Sequence, residues 1–361
     1  MNNNRKNKLL GSPISAVDLF CGAGGLTYGL RRAGVRVEAG IDIDPHAAHA
    51  YEKNNVGARF LQWDVASKRP SSIAKLFHKK SIRLLAGCAP CQPFSKLTNG
   101  IERHRSWDLL DNFGRFVAGI RPELVTMENV PELANRGSEV FDRFLRTLRK
   151  HGYYVDWRIV NCSDFGAPQS RKRLVLLASS LGPISVPKGQ YRSGERAMKT
   201  VRDVIGDLPP LRSGQRSDDD PLHVAATLSP TNLARIRATP HDGGSKDSWP
   251  KNLLLDCHVR ATGSRYQSIY GRMWWDKPAP TMTTLCNGLG NGRFGHPDQD
   301  RAISLREAAL IQSFPNGYEF WPRDQKLNSK AVARMIGNAV PPVLAQALGA
   351  GLLKHVKSRS R

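Results

Sequence analysis

From Ile14 to about Ala178 the chain alternates apolar runs with amphipathic stretches, and each apolar run ends on a polar or glycine-bearing turn. Ile14 to Phe20 leads into Cys21-Gly22-Ala23-Gly24-Gly25, and Val35 to Ile43 ends on Asp42-Ile43-Asp44. Ala58 to Val65 carries Asp64 near its end, Ile82 to Ala86 runs into Gly87-Cys88-Ala89-Pro90-Cys91, and Glu123 to Met127 ends on Glu128-Asn129-Val130. Helical periodicity fills the intervals at Leu26–Arg32, Pro45–Lys53, Trp107–Ile120 and Glu139–Lys150, and Tyr153–Val160 and Arg173–Ala178 read as two further strands. This pattern predicts an α/β fold with a mostly parallel, doubly wound sheet covered by helices on both faces. In such a sheet ligands gather outside the carboxyl ends of the strands, where the glycine, aspartate, cysteine and glutamate residues above are found.

After about Pro187 the character changes. Residues 188 to 300 are rich in Gly, Pro, Ser, Arg and Asp, with short helical stretches at Thr200–Ile205 and Leu233–Arg237. A segment of this length is too long for an ordinary connection and predicts a second, smaller, irregular domain. Helical patterns return at Ser304–Gln312, Lys330–Ile336 and Val343–Val356. The expected division is a catalytic and cofactor-binding domain over 1–187, completed by 316–361, with 188–315 as the second domain and hinge. The net charge of +23 points to a polyanionic partner, foremost nucleic acid. Solvated surface charge is the blander reading of the same number. Six cysteines without regular spacing do not form a disulfide framework and fit a reducing compartment. No apolar run reaches the ~20 residues of a membrane span, and MNNNRKNK lacks the apolar core of a signal peptide. The expectation is a cytoplasmic protein, nucleoid-associated if bacterial, without a membrane partner.

Pro90 and Pro93 stiffen the backbone on either side of Cys91 and present its thiol from the end of a strand. Cys88 and Cys91 form C-x-x-C, which can be a redox pair or half of a zinc site; Cys91 can equally be a lone nucleophile with Cys88 as packing. Zinc lacks a second C-x-x-C. A zinc nucleobase deaminase would also need H-x-E and P-C-x-x-C, whereas none of the ten histidines begins H-x-E and Phe94 stands at the second cysteine position. The first loop departs from the dinucleotide fingerprint G-x-G-x-x-G, because Thr27 occupies the third glycine position. It still permits close approach of a ligand to the backbone. Asp42 suits a ribose diol, Ile43 an adenine face and Asp64 an adenine amino group. An adenosine ligand without pyrophosphate, such as S-adenosylmethionine, fits this set.

DLFCGAGG (18–25), GCAPCQPFS (87–95), MENV (127–130), QSRKRL (169–174), SLREAALIQSFP (304–315) and GNAVPP (337–342) occur in an order that resembles the DNA cytosine-5 methyltransferases. The resemblance implies a Rossmann-like S-adenosylmethionine-dependent methyltransferase fold with a target-recognition domain over the irregular segment. It implies transfer of a methyl group to C5 of a flipped-out cytosine in duplex DNA. Cys91 would add to C6 as the nucleophile, Glu128 would bond N3 and the exocyclic amine, and Arg171 and Arg173 would lie near the base and the DNA backbone. Phe20, Gly22, Gly24, Asp42, Ile43, Asp64 and Asn338 would bind S-adenosylmethionine, without a metal. Double-stranded DNA and a cognate restriction endonuclease are the implied partners, with the enzyme a monomer on DNA. A tRNA cytosine-5 methyltransferase and a catalytically silent DNA-binding member are the alternatives. Cys88-Ala89 departs from the pair common before Pro-Cys in the family. Thr281 and Thr283 resemble the marker that ends the target-recognition domain. The aromatics Trp249, Tyr266, Tyr270, Trp274 and Trp275, set among arginines, fit either a small core or contacts to DNA.

Overall fold

The structure, a computed structural model, describes residues 13–90, 105–191, 196–256 and 269–359. It divides into two compact units. The first comprises 1–165, 172–190 and 339–361, and the second comprises 166–171 and 191–338.

The first unit is built on a seven-stranded sheet. Its strands are β1 (Ile14–Leu19), β2 (Arg36–Asp42), β3 (Arg59–Gln62), β4 (Ile82–Gly87), β5 (Leu124–Asn129), β6 (Tyr154–Asn161) and β8 (Lys172–Ser179), in the order β3-β2-β1-β4-β5-β8-β6. All pairs from β3 to β5 are parallel, and β8 runs antiparallel between β5 and β6. The expected doubly wound sheet is therefore present, and the order reverses at β1 and β4, the switch point where a ligand crevice forms. The central strands are largely apolar because both faces are covered; β1 and β5 are buried throughout. One face packs Val17, Leu85 and Met127 against Phe113 and Phe116 of α4 (Arg105–Ile120) and Phe141 and Phe144 of α5 (Ser138–Lys150).

Ahead of α4 come α1 (Gly25–Ala33), α2 (Ala47–Asn54) and the short α3 (Pro70–Ala74), which the sequence reading did not include. The C-terminal helix α10 (Pro342–Arg359) packs on α1, where Gly29 has no room for a side chain beside the Pro342 carbonyl and Ala345. The sequence's most apolar helix is thus buried on the sheet's covering layer, with Leu344, Leu348 and Leu352 fully enclosed.

The second unit has little regular structure: α6 (Arg202–Ile205), α7 (Pro230–Arg237), α8 (Leu305–Ile311), α9 (Ser329–Asn338) and a parallel pair of β7 (Gln169–Ser170) with β9 (Ala279–Pro280). Irregular backbone leaves carbonyls that helices and sheets would have satisfied, and buried carbonyls need donors. Arginine supplies several N–H groups in a fixed fork. Fully buried Arg272 donates to the carbonyls of Thr239, His296, Gln299 and Ile236 and to the Asp300 carboxylate. Equally buried Arg301 donates to both carboxylate oxygens of Glu307 at 2.7 Å. Glu307 also closes a capping box with Ser304 at the start of α8. Trp249 and Trp275 are buried in this unit, with indole N–H groups bonded to Thr239 and Asp298, and Trp274 is half-buried against Lys277 and Arg293. Arginines and tryptophans that looked like candidates for DNA contact thus include core members. Tyr266 lies outside the described residues.

Candidate active site

The first cluster is at the ends of β1, β2 and β3. The β1 chain turns sharply after Leu19: Phe20 has φ +60, Gly22 φ +49 and Gly24 φ +87. Positive φ is accessible to glycine without steric cost, and it strains Phe20, whose ring packs onto the sheet's apolar core. The turn is held by Asp42 at the end of β2. Its Oδ2 accepts from the Gly22 N–H at 2.8 Å and its Oδ1 from the Asp44 N–H at 2.9 Å. Burial raises the Asp42 pKa above the ordinary carboxylate value, against these two backbone bonds. Next to it Ile43 is 65% exposed, an isoleucine held outside the core. Asp64 is exposed and caps a short 3-10 turn through the Ala66 N–H at 2.9 Å. The strand-end arrangement thus brings Phe20, Gly22, Gly24 and Asp42 into one turn. Asn338 is exposed at the last residue of α9 and counts with the second unit.

Beneath this turn lies a group the sequence reading passed over. Asp18 is wholly buried in β1; its Oδ2 accepts from Thr27 Oγ1 at 2.7 Å, and Thr27 in turn meets the Tyr51 hydroxyl at 3.1 Å. Asp18 Oδ1 has no hydrogen-bond partner. Burial pushes the Asp18 carboxyl up to about 7, with the nearby Asp42 carboxylate adding to the rise against the Thr27 bond. The one available signal was a charged residue inside an otherwise apolar strand, since such a residue is buried only for a reason.

The second cluster is at the ends of β4 and β5. These strands pair in register with Gly87 opposite Met127, so Cys88 and Glu128 follow side by side. Glu128 is 3% exposed. Its Oε2 accepts from the Cys88 thiol at 3.0 Å, and its Oε1 lies 2.9 Å from Arg173 Nε on β8. The arginine contact is a charge pair without hydrogen-bond alignment, for Oε1 receives no hydrogen bond. Asn129 bridges the strand ends: its Nδ2 donates to the Ala89 carbonyl at 3.1 Å, and its Oδ1 accepts from the Val130 N–H at 2.7 Å. Those bonds fix the backbone that leads to Pro90. Cys91 itself lies outside the described residues.

Arg171 points elsewhere. It is 2% exposed in the second unit, where Nη1 donates to the Met282 carbonyl at 2.7 Å and Nη2 to the Gly337 carbonyl at 2.8 Å. Gln169 reinforces the junction by accepting from the Met282 N–H at 3.1 Å and donating to the Ile311 carbonyl at 3.0 Å. Thr281 donates to the Ser170 carbonyl at 2.9 Å. The motifs around residues 170, 282 and 337 therefore meet through backbone contacts. Gly337 is required there, because a Cβ would sit 2.2 Å from the Thr283 carbonyl oxygen.

Residues 14–354 match the family described as C-5 cytosine-specific DNA methylase. The chain belongs to this family. The methylase is 45% identical to the Type II methylase M.HgiDII of Herpetosiphon aurantiacus, over 95% of this chain and 96% of that one. It is 31% identical to the Type II methyltransferase M1.HphI of Haemophilus parahaemolyticus, over 94% and 87%. In fold it is similar to an E. coli prophage-encoded protein described as a DNA modification methyltransferase. That likeness has a TM-score of 0.72 at 22% identity and covers 95% of this chain and 99% of that one. The methylase is thus a DNA cytosine-5 methyltransferase, with DNA as its substrate. Family membership implies S-adenosylmethionine as methyl donor. The residues present fit that group. Gly22 faces open space, with nothing within 4 Å of where a Cβ would stand. Ile43 is free to pack on a flat ring, and Asp18 Oδ1 is a buried acceptor awaiting a donor or cation.

Proposed function

We propose that this methylase acts on a cytosine flipped out of a specific duplex DNA sequence, through a covalent bond between Cys91 and C6 of the base. The observation that carries the reading is the buried Glu128–Arg173 pair at the end of β5, beside the strand that leads into Pro90-Cys91. C5 of cytosine is a poor nucleophile. A thiolate adding to C6 shifts electron density onto C5, the carbon that takes the methyl group; loss of the C5 proton then returns the electron pair and expels the thiolate. Glu128 bonds N3 and the exocyclic amine and supports protonation at N3 as the adduct forms. Arg173 compensates the carboxylate's charge within the buried strand ends. S-Adenosylmethionine, when bound, supplies an electrophilic methyl group on its sulfonium. Phe20, Gly22, Gly24, Asp42, Ile43 and Asp64 are the residues we assign to holding it, with Asp42 accepting from the ribose hydroxyls and Ile43 against the adenine. Asn338 joins this assignment from the Gly337–Pro342 motif. Arg171 acts by fixing the Met282 and Gly337 backbone. The enzyme works as a monomer on its DNA, alongside an endonuclease of the same specificity.

The test is methyl transfer from labelled S-adenosylmethionine with duplex DNA and tRNA offered side by side, and Cys91→Ala as control. Label at 5-methylcytosine in DNA, absent with the variant, is the expected result. Label in tRNA alone would move the substrate to RNA. Label retained by Cys91→Ala would remove the covalent step.

A further inference from the structure

We propose that Cys88 is a positioning residue for the reaction, its thiol fixing which oxygen of Glu128 is presented to the base. The inference rests on the reading of Glu128 given above. The C-x-x-C spacing of Cys88 and Cys91 suggested a redox pair or a metal half-site; the geometry gives Cys88 a different task. Sγ donates to Glu128 Oε2 at 3.0 Å. Oε1 receives no hydrogen bond, although Arg173 Nε stands 2.9 Å away. A charge pair without alignment supplies compensation but little directional preference. The terminal torsion of a glutamate is broad, so a carboxylate held by charge alone could exchange its two oxygens. The Cys88 bond removes that freedom: it engages Oε2 and leaves Oε1 as the open acceptor.

That open acceptor is itself informative. A buried oxygen without a hydrogen bond carries an unrelieved desolvation cost, and such atoms in a folded protein call for an explanation. Glu128 is 3% exposed. An N–H of a base entering the site supplies the missing donor, so the penalty carried by the free enzyme is relieved on substrate binding. Cys88 is placed for this by the sheet itself, since Gly87 pairs with Met127 and the next residue on each strand must lie beside the other. Hydrogen bonds from the Cys88 N–H to the Leu19 carbonyl and from Asn129 to the Ala89 carbonyl fix the backbone on both sides of the thiol. Alanine at 88 would leave both Glu128 oxygens without a directional partner. Serine would keep a donor.

The experiment uses the full chain as wild type, Cys88→Ala, Cys88→Ser and Glu128→Gln, measuring kcat, KM for DNA and the melting temperature. Cys88→Ala is expected to lower kcat by roughly tenfold, a fraction of the ~10²–10⁴ that acid–base groups contribute. Its KM should stay within about twofold. Cys88→Ser should retain kcat within about threefold. Unchanged kcat in Cys88→Ala would overturn the proposal. So would equal losses in the alanine and serine variants that track the melting temperature, because packing alone produces those. Glu128→Gln separates the two readings: full methyl transfer by that variant would sink the role of Glu128 itself, whereas an inactive Glu128→Gln beside an indifferent Cys88→Ala would sink only this inference.

Discussion

Asp18 shows how a single buried side chain can tie stability to pH. It is wholly buried, one oxygen bonded to Thr27 and the other without a partner, and its carboxyl is pushed up to about 7 by burial. An unfolded aspartate releases its proton near pH 4. Between about pH 4 and 7 the folded chain therefore holds a proton that the unfolded chain has lost, and this group's contribution to stability falls as pH rises through that window. The fall amounts to roughly 4 kcal/mol at most for a group so fully enclosed. Asp18→Asn keeps an acceptor for Thr27 and removes the titration. In urea melts the variant should gain on the wild type between pH 5 and pH 8 by a few kcal/mol. An equal difference at the two pH values would show that Asp18 does not titrate in this range.

At the level of elements, the strands of the first unit were readable because each is an apolar run closed by a turn residue, and both covering layers have helical periodicity. The reversal of β8 was not readable, since its buried residues 174–178 form an apolar run like those of the parallel strands, and such a run carries no mark of strand direction. The sites were legible to the same extent: Asp42 and Glu128 stand at strand ends, where a sequence can place them. The partners of Cys88 and Arg171 were not legible, because they depend on register and on contacts far along the chain. Arg171 sits one residue before β8 yet spends its guanidinium on Met282 and Gly337, 111 and 166 positions away. Arg171→Ala leaves two buried carbonyls without their donor, at about 1–3 kcal/mol each. It should lower the second unit's stability by about 2–6 kcal/mol in denaturant melts. Arg171→Lys should recover only part of the loss, because an ammonium lacks the planar fork that reaches two carbonyls at once. Full recovery by lysine would show that charge near the Met282 backbone, rather than the paired bonds, is what matters.

For the whole molecule, the charge of +23 must be reconciled with how many arginines are already committed inside the fold. Arg272, Arg301 and Arg171 are each at most 2% exposed and bond to the protein itself. They cannot neutralise phosphates, so the cationic surface that meets DNA is smaller than the composition suggests. Even so, the ratio of 54 Lys and Arg to 31 Asp and Glu leaves a large excess to release counterions on binding. A protein neutralising about 6–10 phosphates loses roughly 10³–10⁵ in affinity between 50 and 200 mM salt. The methylase should fall in that range, measured by fluorescence anisotropy with a duplex carrying its recognition site and with an unrelated duplex. The two salt slopes should be similar, because phosphate contacts position the protein while base contacts distinguish sequences. The gap between the two affinities should persist at higher salt. A slope near that of only two phosphates on both duplexes would mean that the positive charge is mostly solvated surface, and that shape and base contacts carry the binding.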